Sequence, residues 1–307
     1  MKNFLSRNNL EYFSRNFSKR IKETSDLNDF TNYSQNRYSR LSDIGGYVPE
    51  ASNAFYVNCV TGIDDNLDPL QGYSASKAFK TLGYCINRIS TQILLGPIVV
   101  KMAPGVYSGE HNIIGIPYLS IEGDPSNREL VIIEDNGGLL INQESGGFLQ
   151  IQDCVLRCTG KTNDTRLVQS VYNGFIIVLN CVFEISGVCQ YALMSQCGSV
   201  IIFRRSSVRG NGEFISAFCS SNRSGDLQFD NSCTHTTNVC TIMNSMKATL
   251  WYQITNQGRG YLQVPFVVNG TLTGKKYDVS NGSQLGPVGN CPNTTIAGTT
   301  AMGGTVF

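Results

Sequence analysis

The chain has 307 residues, of which 41% are hydrophobic and 15% charged, with a formal net charge of +1. That length is ample for a buried core, and so neutral a chain has no general attraction for nucleic acid or an anionic membrane surface. Gly (31) and Asn (28) together fill 59 positions; both favour turns, so many short strands joined by many turns are expected and a helical bundle is not.

Residues 1–46 hold no cysteine and one glycine pair at their end, with Lys19, Arg20, Lys22 and Glu23 close together. Phe4, Leu10, Phe13, Phe17 and Ile21 make a partial helical stripe on an otherwise polar segment. This segment is expected to be a helical or flexible docking arm that orders against other subunits. It lacks the apolar stretch of a secretory signal, so export is not expected. Residues 54–58 read as a strand. A helix capped by Ser74 or Ser76 is expected over residues 76–89, with Phe79, Leu82, Ile86 and Ile89 on one face. Residues 93–100 are the longest apolar run, broken by Gly96-Pro97 and far short of the roughly 18 residues a membrane helix needs. Residues 98–102 read as a strand, followed by a Pro104-Gly105 turn into another.

Three spaced elements occur here in order: YVN-x-x-TGxDxN, GYSxSKAFKTL heading the helix, and IVVKMAPGVYSGE. Over residues 54–123 they resemble the opening coils of right-handed parallel β-helix (pectin-lyase-like) proteins, in which an amphipathic helix caps the first coil. Many proteins with this opening are bacteriophage tail fibres and tailspikes, and others are polysaccharide lyases. The resemblance implies a virion fibre or spike subunit that is homotrimeric, anchored by residues 1–46 to other tail or capsid proteins and in contact with a host surface glycan. Such a protein is made in the host cytoplasm and ends in the virion. The alternatives are a purely structural virion component, such as a capsid decoration or tail adaptor, and a polysaccharide-degrading tailspike enzyme.

An internal repeat supports a solenoid over residues 47–262. Cys154, Cys181, Ser206 and Cys233 recur at steps of 27, 25 and 27, with Leu156, Phe183, Val208 and His235 two residues later. A second apolar set is Leu140, Val168, Leu193, Ile215 and Ile242. Two apolar strands per period of about 25 residues suit stacked coils, roughly six of them between Ile113 and Thr255 at about 4.8 Å each. Cys154 is thus expected to lie over Cys181. Residues 263–307, rich in Gly and Thr, are expected to form a tip that packs with other subunits, with short strands at 266–268 and 277–279.

The eleven cysteines include no CxxC pair and there are two histidines. Free buried thiols in a reducing compartment are therefore expected, with no metal site and no cofactor, and the sequons at Asn269, Asn281 and Asn293 carry no meaning. The acidic candidates for catalysis are Glu144, Asp153, Glu184, Glu213, Asp226 and Asp230. None forms an evident pair of the kind glycosidases need, and no catalytic activity is expected. Arg157, Glu184 and Arg209 share a column of alternating sign, which suits charge compensation between coils. Arg204, Arg205, Arg209 and Arg223 are the densest basic cluster, readable as a solvated face or as a glycan site. Trp251 is readable as a core plug for the last coil or as a sugar-stacking platform.

Overall fold

The computed structural model describes residues 53–65, 67–92, 97–135, 137–144, 146–160, 162–229 and 240–307. The expected arm, residues 1–46, and the candidates Asp230, Cys233 and His235 lie outside the described residues.

The chain winds as a parallel β-solenoid. One coil runs through Phe148–Gln152, Val155–Cys158 and Arg166–Val171; the next runs through Phe175–Leu179, Val182–Ile185 and Val188–Gln196. Stacking sorts the strands into three parallel sheets of ten (A), seven (B) and eight (C). From His111–Ile114 to Met246–Thr255, sheet C is six strands deep, the depth the repeat implies. Inward rows of like residues stack into one core, such as Leu119, Leu149, Ile176, Ile201 and Leu227 at 0–1% exposure.

Cys154 lies against Cys181: their strands pair in parallel, the Val182 amide donates to the Cys154 carbonyl, and the two sulfurs are 3.8 Å apart. The described cysteines are thiols, mostly buried, and burial pushes Cys240 and Cys291 up to about 12.

Corners are made by left-handed residues. Between sheets A and B a single one turns the chain at Asp153, Asn180 and Arg205, and the Asn180 amide donates to Asp153 Oδ1 at 2.6 Å. Between sheets C and A two serve, as at Tyr172-Asn173, Arg223-Ser224 and Asn256-Gln257. Short polar side chains tolerate this region best, which suits Asn173, Asn180, Asn256 and Asn281 to such corners.

Four expectations are corrected. The helix, here α1, is Leu82–Ser90, with Thr81 as its cap: Thr81 Oγ1 accepts from the Tyr84 amide, while Asp64 accepts from the Lys80 and Thr81 amides. Ser74 heads only a separate 3₁₀ turn, Ala75–Lys77, and Ser76 lies within it. Phe79 is buried but sits before α1, bridged to Val57. Second, Asp226–Phe229 and Cys240–Ile242 are further apart in sequence than the corresponding strands of earlier coils, so Ser207 pairs with Thr241 and Val208 with Ile242. Ile242, not His235, follows Val208 in its column.

Third, the second apolar set slips. Ile141 aligns with Val168, Leu193, Cys219 and Tyr252; Leu140 stands one residue before that register, Ile215 four residues before it, and Ile242 belongs to sheet B. Fourth, the solenoid does not stop at residue 262. Phe266–Val268 joins sheet B, Leu272–Val279 and Thr299–Thr300 join sheet C, and Gln284–Gly286 and Thr305–Val306 join sheet A. The Gly/Thr-rich segment is ordered by backbone pairing to its own preceding coils, which needs no large side chains.

Candidate functional site

The expected basic cluster is divided. Arg204 ends a sheet A strand and Arg205 is the corner residue after it. Arg223 is exposed on the corner that leads into the opposite, N-terminal end of sheet A. Arg209 lies on sheet B and is committed to ion pairs. Glu134, Arg157, Glu184 and Arg209 stack in one register row. Arg157 Nε donates to Glu184 at 2.5 Å, Arg209 Nε donates to Glu184 at 2.9 Å, and Arg209 forks Glu129 at 3.0 and 2.7 Å. Burial works to raise the Glu184 carboxyl, but donation from Arg209 and Arg157 outweighs it and holds the group below its usual range. The alternating ladder is thus charge compensation between coils.

Trp251 is not a surface platform. It is fully buried between Phe214 and Phe218, with its indole N–H donating to the Thr273 carbonyl at 3.2 Å. Nor does it close the last coil, since Leu272–Val279 stacks beyond it.

The acidic candidates are also dispersed. Glu144 accepts from Asn142, Asp153 from Asn180, and Glu213 pairs with Lys247 at 2.8 Å. Asp226 is half-buried, and desolvation raises its carboxyl despite Arg259 in the next strand. Among the described residues no cluster of three or more His, Cys, Asp or Glu could hold a metal. No described helix is long and apolar enough to cross a membrane.

One row on the outer face of sheet C stands apart. In each strand two consecutive residues are buried and break the in-out alternation: Leu140-Ile141, Leu167-Val168, Ala192-Leu193, Phe218-Cys219 and Trp251-Tyr252, at 0–1% exposure. The next row, in register, is Asn142, Gln169, Met194, Ser220, Gln253 and Asp278. It faces outward, yet Asn142, Gln169, Met194 and Ser220 are only 4, 9, 8 and 2% exposed. Doubling the inward residues creases the sheet, and the row lies on the floor of the crease. Its polar groups are linked across coils. Asn142 donates to Asn112 at 3.1 Å and to Glu144 at 2.8 Å. Arg166 donates to Gln169 at 3.0 Å, and Tyr191 and Ser220 both donate to Gln253 at 3.3 Å. Arg223 and the exposed Tyr172 sit on the corner at the end of these strands.

Apart from Asp278 at its end, the row carries no charge. It offers amide donors and acceptors, hydroxyls and one thioether, a set suited to binding rather than to proton transfer. Sequence reasoning passed over it because the slipped second alignment hid its period; the steps 142, 169, 194, 220 were available once Leu140 was aligned with Leu167.

No family model matches the chain, and no curated protein matches it. Among solved structures it is similar to the pectin methylesterase from Aspergillus niger in deglycosylated form, at 14% identity and a TM-score of 0.37, over 84% of this chain and 87% of that one. No activity follows from a likeness of that size.

Proposed function

We propose that this chain is a fibre or spike subunit of a virion, held to the particle through residues 1–46, and that the outer face of sheet C contacts a glycan of the host surface. The observation that carries the reading is the shielded row Asn142, Gln169, Met194, Ser220 and Gln253, which sets an uncharged hydrogen-bonding group in four of five successive coils. Amides both donate and accept, which is what reading a hydroxyl-rich polymer requires. The row's own side chains, Asp278 apart, carry no charge, which favours a neutral glycan over an acidic one. The viral assignment draws its support from the resemblance of residues 54–123 to the opening of phage β-helix proteins.

The test is binding of the full chain to neutral and acidic bacterial surface polysaccharides, followed by calorimetry and by reducing-end release. Binding of a neutral glycan without new reducing ends is expected. Replacing Gln169 and Gln253 together by Ala should weaken it about tenfold or more, each lost hydrogen bond being worth about 1 kcal/mol. Release of reducing ends would replace this reading with an enzymatic one; no binding to any glycan would replace it with a purely structural one.

A further inference from the structure

The outer face of sheet A differs in kind from those of B and C. Its inward rows, such as Leu149/Ile151, Ile176/Val178 and Ile201/Phe203, are fully buried, so the residues between them face outward. Tyr118, Phe148, Phe175 and Val200 form one outward row, and Ile177 and Ile202 stand side by side in the next. The first three rings stack along the axis, with centroids 4.6 and 5.5 Å apart and planes 9° and 13° from parallel. Residues 175–179 and 200–203 are therefore apolar on both faces. A sheet with one face in water alternates apolar with polar; continuous apolar strands belong to sheets covered on both sides.

We propose that the outer face of sheet A is packed against the same face of another copy of this chain. Area, shape and charge favour that occupant. Sheet A has ten strands; at about 4.8 Å per strand and about 16 Å per five-residue strand, its face measures roughly 700 Å², close to the ~800 Å² each partner contributes to a stable interface. A face of that length is matched by an identical one. Its outward charges are Lys101, Glu122, Arg204, Asp226 and Arg259, which sum to +1, with Lys101 beside Glu122 and Asp226 beside Arg259 in register. Two copies therefore meet without strong repulsion. A face packed on the same face of one other copy makes a two-fold dimer, in place of the three copies that the resemblance implies; the proposal is independent of the glycan reading.

Sedimentation of the full chain at micromolar concentration tests it. An oligomer is expected, falling to the single-chain mass in Phe148→Glu and in Ile177→Lys, with an unchanged far-UV spectrum, whereas Val106→Lys on the outer face of sheet B leaves it assembled. A milder variant covers the case of misfolding. Gln150→Cys, at the centre of the face, should give covalent oligomers with a short bismaleimide beyond those of the unsubstituted chain, and Thr249→Cys on sheet C should not. A monomeric wild type, or an oligomer that survives both charge substitutions with no Gln150→Cys cross-link, would overturn the proposal.

Discussion

Sheets B and C belong to the same coils and share the same backbone pairing, yet their outer faces are opposites. On B the stacked row is Glu134, Arg157, Glu184 and Arg209, ionised and closed on itself by short ion pairs. On C it is Asn142, Gln169, Met194 and Ser220, neutral and sunk in a crease. In a solenoid every outward position becomes a column, so one residue choice repeated per coil sets the chemistry of a whole face. Sheet B uses its column to hold coils together; sheet C leaves uncharged groups, which the proposed function assigns to a glycan.

Emptying the core beneath the row should have the largest effect. Trp251→Ala empties a fully buried site among Phe214 and Phe218, and about 3–5 kcal/mol of stability should be lost, read from denaturant midpoints. If the loss is below about 1 kcal/mol, the tryptophan does not support the face.

Acid should separate the two sheets. His111 opens sheet C beneath Gly83 of α1, buried, with neither ring nitrogen hydrogen-bonded among the described residues, and desolvation lowers it from 6.5 to about 4. The unfolded chain then binds the proton first. Stability should fall as pH drops from about 6.5 towards about 4, by about 3 kcal/mol, and level off below. His111→Leu should flatten that window. The Glu184 carboxyl is held down instead, so its contribution is complete above about 4.5 and is lost as pH falls further. A flat stability profile between pH 6.5 and 4 in the wild type would contradict the burial of His111.

A smaller effect is expected from Glu184→Gln, which leaves Arg157 and Arg209 without their shared partner. The side chains are 20–30% exposed, so a loss of about 1–2 kcal/mol is expected, shrinking in high salt. Smallest of all, Gln169→Ala removes one nearly buried hydrogen bond from Arg166 and should cost about 1 kcal/mol, while it weakens glycan binding.

Much of the architecture was legible because core columns announce themselves by recurrence. Cys154, Cys181 and Ser206 fell into register, as did Arg157, Glu184 and Arg209, since each pair of coils there differs by 25 or 27 residues. The alignment failed where a coil lengthens between Phe229 and Cys240, and where bulges at Cys189/Tyr191 and Phe214/Ala217 shift sheet C. Sequence could not place Trp251 inside or outside, because a β-strand offers an aromatic residue either face. The sheet C row stayed hidden behind the slipped second alignment, and Asn, Gln, Met and Ser, unlike in polarity, gave no recurrence of their own to reveal it. The arginines looked clustered in sequence although Arg205 and Arg223 turn different corners.

The central claim is that sheet C's crease is the face that meets a glycan. Determining the structure of the full chain with a bound neutral oligosaccharide tests it most directly. The sugar is expected along the row Gln169, Met194, Ser220 and Gln253, with amide contacts in successive coils. A saccharide seated instead on the ion-pair ladder of sheet B, or at the Arg204-Arg205 corner, would contradict it.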